Sequence, residues 1–351
     1  MKESFFIDSI DIKEFRGIKV CEHPIPLTDF TILIGRNNSG KSTILEALSL
    51  LPTPKSVDYI IQKSKIEFIN DLHRQFKGKT KYQKSKVPIH YKSLLYLYAG
   101  TSTLQYQKKG LNEKYTIRIS KDEYKFGFIK ISKLIDDENL KQVEFISEDF
   151  NQIVDFLNIK DLDTSSLVLF IPYDTDYLNY LEARMSDLKE SIIKKGIHID
   201  VAKTLNKCVD DEYSEILFGK PMQIRKIIND NVVYISLNDL GSGAEKMIKF
   251  MTLIETMNPK LILIDDIEAA FHPSMLNIIL KWLAKRNCQI VLSTHSIDVL
   301  YRLSEIEPNN GSALYLKKSK DDVLTFSKLT LNEIEDFLNS NTDPRLLNLK
   351  M

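Results

Sequence analysis

The sequence predicts an α/β fold: a mixed sheet with parallel strands covered by helices, an antiparallel β subdomain and a helical lobe. Three observations predict it. Short apolar, β-branched runs at 30–35, 167–171, 261–264 and 289–292 have the pattern of strands buried on both faces. The last two alternate with helical stretches, and a β–α–β order calls for parallel strands with helices packed across them. Segments near 91–98, 103–107, 114–119 and 124–131 are β-rich between polar breaks, as in an antiparallel meander.

Residues 5–20 and 30–35 read as strands, the second ending at Gly35. A helix follows from about Lys41, with Ile44, Leu45, Leu48 and Leu51 on one side, and Pro52 and Pro54 stop it. Residues 55–92 are Lys-rich. After the strand at 167–171, Leu178, Leu181, Met185, Leu188 and Ile192 recur at helical spacing until Gly196 breaks the pattern. Val201, Leu205, Val209, Ile216 and Leu217 then continue an apolar face, so the two stretches read as a helical hairpin, too short for a long coiled coil. A β-hairpin at 222–237, a helix at about 243–257, a strand at 261–264, a helix at 273–286 and a strand at 289–292 complete the reading.

A chain of 351 residues is two domains or one with an insertion, at about 150 residues per domain. With 43% hydrophobic and 27% charged residues it is not a disordered chain. Lys+Arg and Asp+Glu both number 48, which excludes a wholly basic coat for nucleic acid but not a local patch. The sequence lacks an uncharged apolar run long enough to cross a membrane, and its first residues alternate charged and apolar, so neither a span nor a signal peptide is expected. Cys21, Cys208 and Cys288 are odd in number and form no metal-like pair, which fits reduced thiols of a cytoplasmic protein.

Four motifs carry chemistry. Gly35-Arg36-Asn37-Asn38-Ser39-Gly40-Lys41-Ser42-Thr43 fits the phosphate-binding pattern G-x-x-x-x-G-K-[ST], between an apolar strand and a helix. Glycines let the backbone curl so that N–H groups face phosphate oxygens, and the helix start adds its positive end. Lys41 would reach the β- and γ-phosphates and the Ser42 hydroxyl would ligate Mg²⁺. The run 261–264 then ends in Asp265-Asp266-Ile267-Glu268, which places carboxylates at the carboxyl edge of the sheet, where open α/β sheets bind ligands. Asp265 would hold Mg²⁺ through water, and Asp266 would polarise the attacking water. Gly241-Ser242-Gly243-Ala244-Glu245-Lys246 opens a helix and reads either as a second anion site or as an ordinary helix start capped by Ser242. One nucleotide does not need two phosphate sites from one chain, so the useful arrangement is head to tail across a dimer. Finally, Ser293-Thr294-His295-Ser296 puts a histidine at a strand end, able to donate to a γ-phosphate or position water.

Together the four motifs resemble the ABC-type ATPase head of the structural-maintenance-of-chromosomes (SMC), RecF and OLD group, in particular its small stand-alone, AAA-family or SMC-like members. The resemblance begins at Ile10-Asp-Ile-Lys-Glu-Phe15-Arg16-Gly17-Ile18 and covers roughly 1–52 and 220–305. It implies a P-loop NTPase fold and an ATPase using ATP and Mg²⁺. Lys41 and Ser42 would lie in the Walker A loop, Asp265 in Walker B, Asp266 where the group usually has its catalytic glutamate, Ser242 at the signature serine and His295 at the switch histidine. His272-Pro273 also fits the text after Walker B. This sequence departs from the pattern at Asp266, one methylene shorter than Glu, which leaves Glu268 as an alternative acid. It departs again at Gly241 and Ala244 of the signature. A Q-loop glutamine is not assigned. The stretch after Leu303 has no acidic Toprim nuclease cluster, and the long gap from Ser42 to Ser242 without a membrane segment argues against a transporter subunit.

The expected organisation is a single ATPase head over 1–351. Lobe I spans 1–172 with a β-rich insertion at about 55–165, a helical hairpin spans 173–218, lobe II spans 219–330, and 331–351 is a C-terminal tail. The stretch from His73 to Lys86 holds no acid and includes Phe76 and Tyr82. It reads either as a contact for a phosphate backbone and bases or as a solvated loop. The expected function is an ATP-driven dimerisation switch in DNA maintenance or antiviral defence, sensed by DNA or an effector protein. The alternative is a nucleotide-sensing regulator with negligible turnover.

Overall fold

The computed structural model describes residues 6–73, 91–110, 113–121, 127–135, 143–145, 155, 157, 164–174, 176–219, 221–269 and 271–346. Among them, one large mixed sheet runs in the order Val143–Phe145, Gly127–Ile135, Glu113–Lys121, Thr101–Lys108, Ile7–Phe15, Ile18–Cys21, Val323–Thr330, Gly311–Lys318, Phe30–Gly35, Gln289–Ser293, Leu261–Ile264, Val168–Ile171. The last five are mutually parallel, so their carboxyl ends share one edge. Every residue of Phe30–Gly35, Leu261–Ile264, Gln289–Ser293 and Val168–Ile171 is buried, which is why these strands are apolar but for Thr31, Gln289 and Ser293. The other end is an antiparallel meander. Thr101–Lys108 alternates strictly between buried and half-buried, as a strand with one covered face does, and Tyr106 stacks on its cross-strand neighbour Tyr115 at 5.2 Å.

The helix Lys41–Ser49 lies across the parallel strands and buries Ile44, Leu45, Ala47 and Leu48. The helix Ser242–Met257 packs against Asp176–Lys194, Ile197–Leu205 and Pro273–Ala284. Tyr213–Leu217, Gln223–Ile228 and Asn231–Ser236 form a separate three-stranded antiparallel sheet.

Several local expectations change. Ile216 and Leu217 lie on a strand rather than a helix, because the helix ends at Leu205 and Asn206 turns its side chain onto the backbone of Tyr213. Residues 91–98 are two short 3₁₀ turns, Tyr91–Leu94 and Tyr96–Tyr98. Leu97 and Tyr98 have φ of 49° and 63°, two successive residues far from extended backbone. The Lys-rich region contains a helix, Lys65–Leu72, opened by a capping box between Ser64 and Glu67. The C-terminal stretch holds a helix, Leu331–Asn339, and a turn, Pro344–Leu346. Most of the basic segment, 74–90, lies outside the described residues. All three cysteines are free, and among the described residues no helix is long and apolar enough to cross a membrane.

Candidate functional site

The phosphate loop follows the buried strand Phe30–Gly35. Gly35 has φ of 145°, and a Cβ there would lie 2.5 Å from the Leu316 carbonyl oxygen, so only glycine fits between the loop and the neighbouring strand. Gly40 is the N-cap of the helix Lys41–Ser49 in the left-handed region, with no side chain capping the first turn. The first-turn N–H groups therefore remain available to an anion. Arg36, Asn37 and Asn38 are exposed. Ser39 is buried, and its hydroxyl has no hydrogen-bond partner. Thr43 is half-buried in the first turn. Lys41, 5% exposed, folds back over the loop and donates to the Gly35 and Arg36 carbonyls at 3.0 and 3.2 Å. Burial lowers its pKa, while Asp266, Asp265 and Glu268 act in the opposite direction. An open groove of about 460 Å³ runs from residues 36–39 to the hairpin carrying Tyr315, Lys318 and Asp322.

The acids sit two strands away, past Gln289–Ser293. Asp265 is 7% exposed and accepts a hydrogen bond from Ser293 Oγ at 2.6 Å. Burial raises its pKa, and the neighbouring Ser293 and Ser42 hydroxyls oppose the rise. Asp266 turns away with φ of 49°, its N–H donating to Ser293 Oγ at 2.9 Å. Its Oδ1 is buried, accepts no hydrogen bond, and lies 3.6 Å from His295 Nε2. Glu268 is engaged at both oxygens: Oε1 accepts from the His295 N–H at 2.6 Å and Oε2 from Thr294 Oγ1 at 2.9 Å. Lys41, Ser42, Asp265, Asp266, Glu268 and His295 thus form one cluster at the carboxyl edge of the sheet.

Ser242 stands apart from this cluster. Gly241 is the N-cap and Ser242 the first helical residue, so the reading of Ser242 as a cap is corrected. Ser242 is exposed and Gly243 half-buried. Ser242 lines a cavity of about 170 Å³ with Ile171, Tyr173, Asn179, Glu245 and Lys246, and no phosphate-loop residue lines it. The same helix does reach the acids through Lys246. Its ammonium lies 4.7 Å over the Phe271 ring and donates to the Ala269 carbonyl. Burial pulls its pKa down to about 8 against the opposing charges of Glu268 and Asp266.

Sequence reasoning missed three residues of this neighbourhood: Ser293, which ties Asp265 to Asp266; Thr294, which holds Glu268; and Lys246 as a partner of the acid turn. The two hydroxyls beside His295 were a usable signal for the first two. The Ser42 hydroxyl and the Asp265 carboxylate are hard oxygen ligands, and Ser42 is near enough to influence the Asp265 carboxyl, so the pair fits Mg²⁺. Among the described residues no cluster of three or more His, Cys, Asp or Glu suits a metal held by protein alone.

Comparison with known proteins gives the family and the fold of the chain. The chain is 22% identical over 342 residues to a Helicobacter pylori protein named ATP/GTP phosphatase, covering 86% of this chain and 88% of that one. It is 26% identical over 236 residues to an uncharacterised protein of Methanocaldococcus jannaschii, covering 66% of this chain and 54% of the relative, about half its length. A solved SMC head bound to the C-terminal winged-helix domain of ScpA shares the fold, with a TM-score of 0.54 at 13% identity over 94% of this chain and 99% of that one. The family described as "AAA domain, putative AbiEii toxin, Type IV TA system" matches residues 30–80 and 107–300. The chain belongs to that family of nucleotide-binding P-loop ATPase domains, with a mixed α/β fold like that of SMC heads.

Proposed function

We propose that this chain is an Mg²⁺-dependent ATPase that works as an ATP-driven dimerisation switch. The observation that carries the reading is the Ser293 hydroxyl, which donates to Asp265 at 2.6 Å and accepts the Asp266 N–H at 2.9 Å, fixing both acids at the strand edge that the phosphate loop shares. Residues 35–43 would hold the triphosphate through backbone N–H groups, and Lys41 would leave its two carbonyls for the β- and γ-phosphates. Ser42 and Asp265 would hold Mg²⁺, which when bound neutralises phosphate charge. Asp266 has an unbonded carboxylate oxygen with which to accept a proton from the attacking water, and His295 faces the same space. Glu268, with both oxygens engaged, would hold the switch loop. Ser242 and Gly243 of a second copy would close over the γ-phosphate, and hydrolysis would part the heads. The name of the Helicobacter relative supports nucleotide hydrolysis, and the SMC-head fold supports heads that pair. A family description naming a toxin of a toxin–antitoxin system supports a defence role, with DNA or an effector protein as the sensor of the closed state.

The test is phosphate release from the purified chain with and without duplex DNA, and molecular size with and without ATP. Lys41→Ala is the control. Turnover with ATP-dependent dimers, both lost in Lys41→Ala, is expected. A chain that stays monomeric with ATP overturns the switch. A second reading, a nucleotide-sensing regulator with negligible turnover, is favoured by the shorter Asp266 and the engaged Glu268. Dimers that form with ATP but release no phosphate would select it.

A further inference from the structure

His295 sits in a loop whose backbone is held from both sides. Its N–H donates to Glu268 Oε1 at 2.6 Å. Its carbonyl oxygen accepts from the Arg345 guanidinium, far along the chain in the C-terminal turn. The next peptide is also fixed, since the Ser296 N–H donates to Thr294 Oγ1 at 2.9 Å and Ser296 caps the helix Ile297–Ile306. The imidazole itself is 42% exposed, with Nε2 3.6 Å from Asp266 Oδ1. A side chain that must meet a reacting group depends on the placement of its own backbone, and here the carbonyl side of that placement comes from Arg345.

Arg345 is itself preset for this contact. Its Nε and second amino group fork onto Asp343 at 2.9 and 2.6 Å, and the Arg345 N–H donates to the same carboxylate at 2.9 Å. Pro344 between them is buried, and the turn Pro344–Leu346 packs against Phe30–Gly35, the strand that delivers the phosphate loop. One guanidinium nitrogen is left to reach the switch loop. The guanidinium is also near enough to Glu268 and Asp298 for their charges to add to that of Asp343 in holding its pKa up.

We propose that Arg345, held by Asp343, is a positioning residue that fixes the backbone of His295 from the C-terminal turn and so sets where the imidazole meets Asp266 and the phosphate site. The turn thereby couples the loop strand to the switch residue. This inference rests on the reading of His295 as part of an ATPase site for its effect on turnover, but not for its effect on the loop. It is tested on the full chain with Arg345→Ala, Arg345→Lys and Asp343→Asn.

Two readouts separate it from the parent reading. The first is amide hydrogen exchange. In Arg345→Ala, exchange over 294–296 is expected to rise while the helix 41–49 keeps its protection. The second is steady-state phosphate release. In Arg345→Ala, kcat is expected to fall about tenfold with KM little changed, as for a misplaced group that does not bind substrate. Arg345→Lys, which keeps a donor for the carbonyl, restores part of the rate, and Asp343→Asn shows a smaller loss. Unchanged exchange over 294–296 in Arg345→Ala overturns the proposal, as does a loss of protection spread equally to 41–49. Unchanged kcat in an active enzyme also overturns it. A wild-type chain that releases no phosphate would sink the ATPase reading alone, and the exchange experiment would still decide the role of Arg345.

Discussion

Ser293 and Asp265 meet across two neighbouring parallel strands, the Ser293 hydroxyl donating to the carboxylate at 2.6 Å while accepting the N–H of Asp266 at 2.9 Å. One fully buried hydroxyl therefore sets the direction of Asp265 and the turn that presents Asp266. In Ser293→Ala, the buried carboxylate loses a donor and the Asp266 N–H loses its acceptor. A loss of about 1–3 kcal/mol is expected, since unsatisfied buried polar groups carry their full desolvation cost. Urea unfolding of the two proteins checks it: an unchanged midpoint would mean that the hydroxyl does not hold the acids. Phosphate release should fall along with stability, because Asp266 is no longer aimed.

Gly35→Ala is expected to abolish nucleotide binding while Lys41 is still present. The added carbon would lie 2.5 Å from a backbone oxygen of the adjacent strand and 2.8 Å from Ser39 Oγ, in a φ region that L side chains rarely adopt. The strand cannot withdraw, because Leu316 is paired opposite Gly35 in the sheet. The loop must move instead, and the curl that directs its N–H groups inward is lost. Titration with a fluorescent ATP analogue checks this, and wild-type affinity in the variant would show that the loop tolerates the carbon.

The two acids after Asp265 are expected to separate on mutation. Asp266→Asn removes the carboxylate whose Oδ1 has no hydrogen-bond partner, and turnover should fall by about 100-fold or more with ATP binding retained. Glu268→Gln keeps an acceptor for the His295 N–H and a polar group for the Thr294 hydroxyl, so the loss should be severalfold. The reverse order would assign water activation to Glu268. Asp266→Glu, which lengthens the acid by one methylene, should raise turnover if reach is what limits the reaction. Single-turnover phosphate release on the three variants reads all of this.

The central sheet was legible because strands covered on both faces can hold little but apolar residues, as Phe30–Gly35 and Leu261–Ile264 do. The phosphate loop was legible because Gly35 and Gly40 take conformations that other residues rarely adopt. Ile216 and Leu217 misled because an apolar spacing does not say where the chain reverses, and the Asn206 side chain, bonded to Tyr213, decides that. The helix at Lys65–Leu72 had a signal, the Ser64 and Glu67 capping box, hidden in a lysine-rich context. The contacts that fix the acids and the switch loop were not legible. Ser293 lies 28 residues from Asp265 and Arg345 lies 50 from His295, and each pair meets only once the fold is assembled.

Lys246 makes stability depend on pH in a calculable direction. Burial lowers its pKa from 10.5 to about 8, so between these values the unfolded chain binds more protons than the folded one. Stability from this group therefore rises as pH climbs from 8 to 10.5 and is lost as pH falls back through that window. Lys246→Met removes the titration while keeping an unbranched side chain over the Phe271 ring. The stability difference, wild type minus variant, is expected to shift toward the wild type between pH 8 and pH 10, because the variant carries every other titrating group but this one. Thermal unfolding of both proteins across that range decides it, and a difference that stays flat would mean Lys246 titrates as a solvated lysine. Added MgATP gives the complementary arm. A nucleotide bound beside Asp266 and Glu268 brings further negative charge to the ammonium, raises its pKa and should shift the pH window upward.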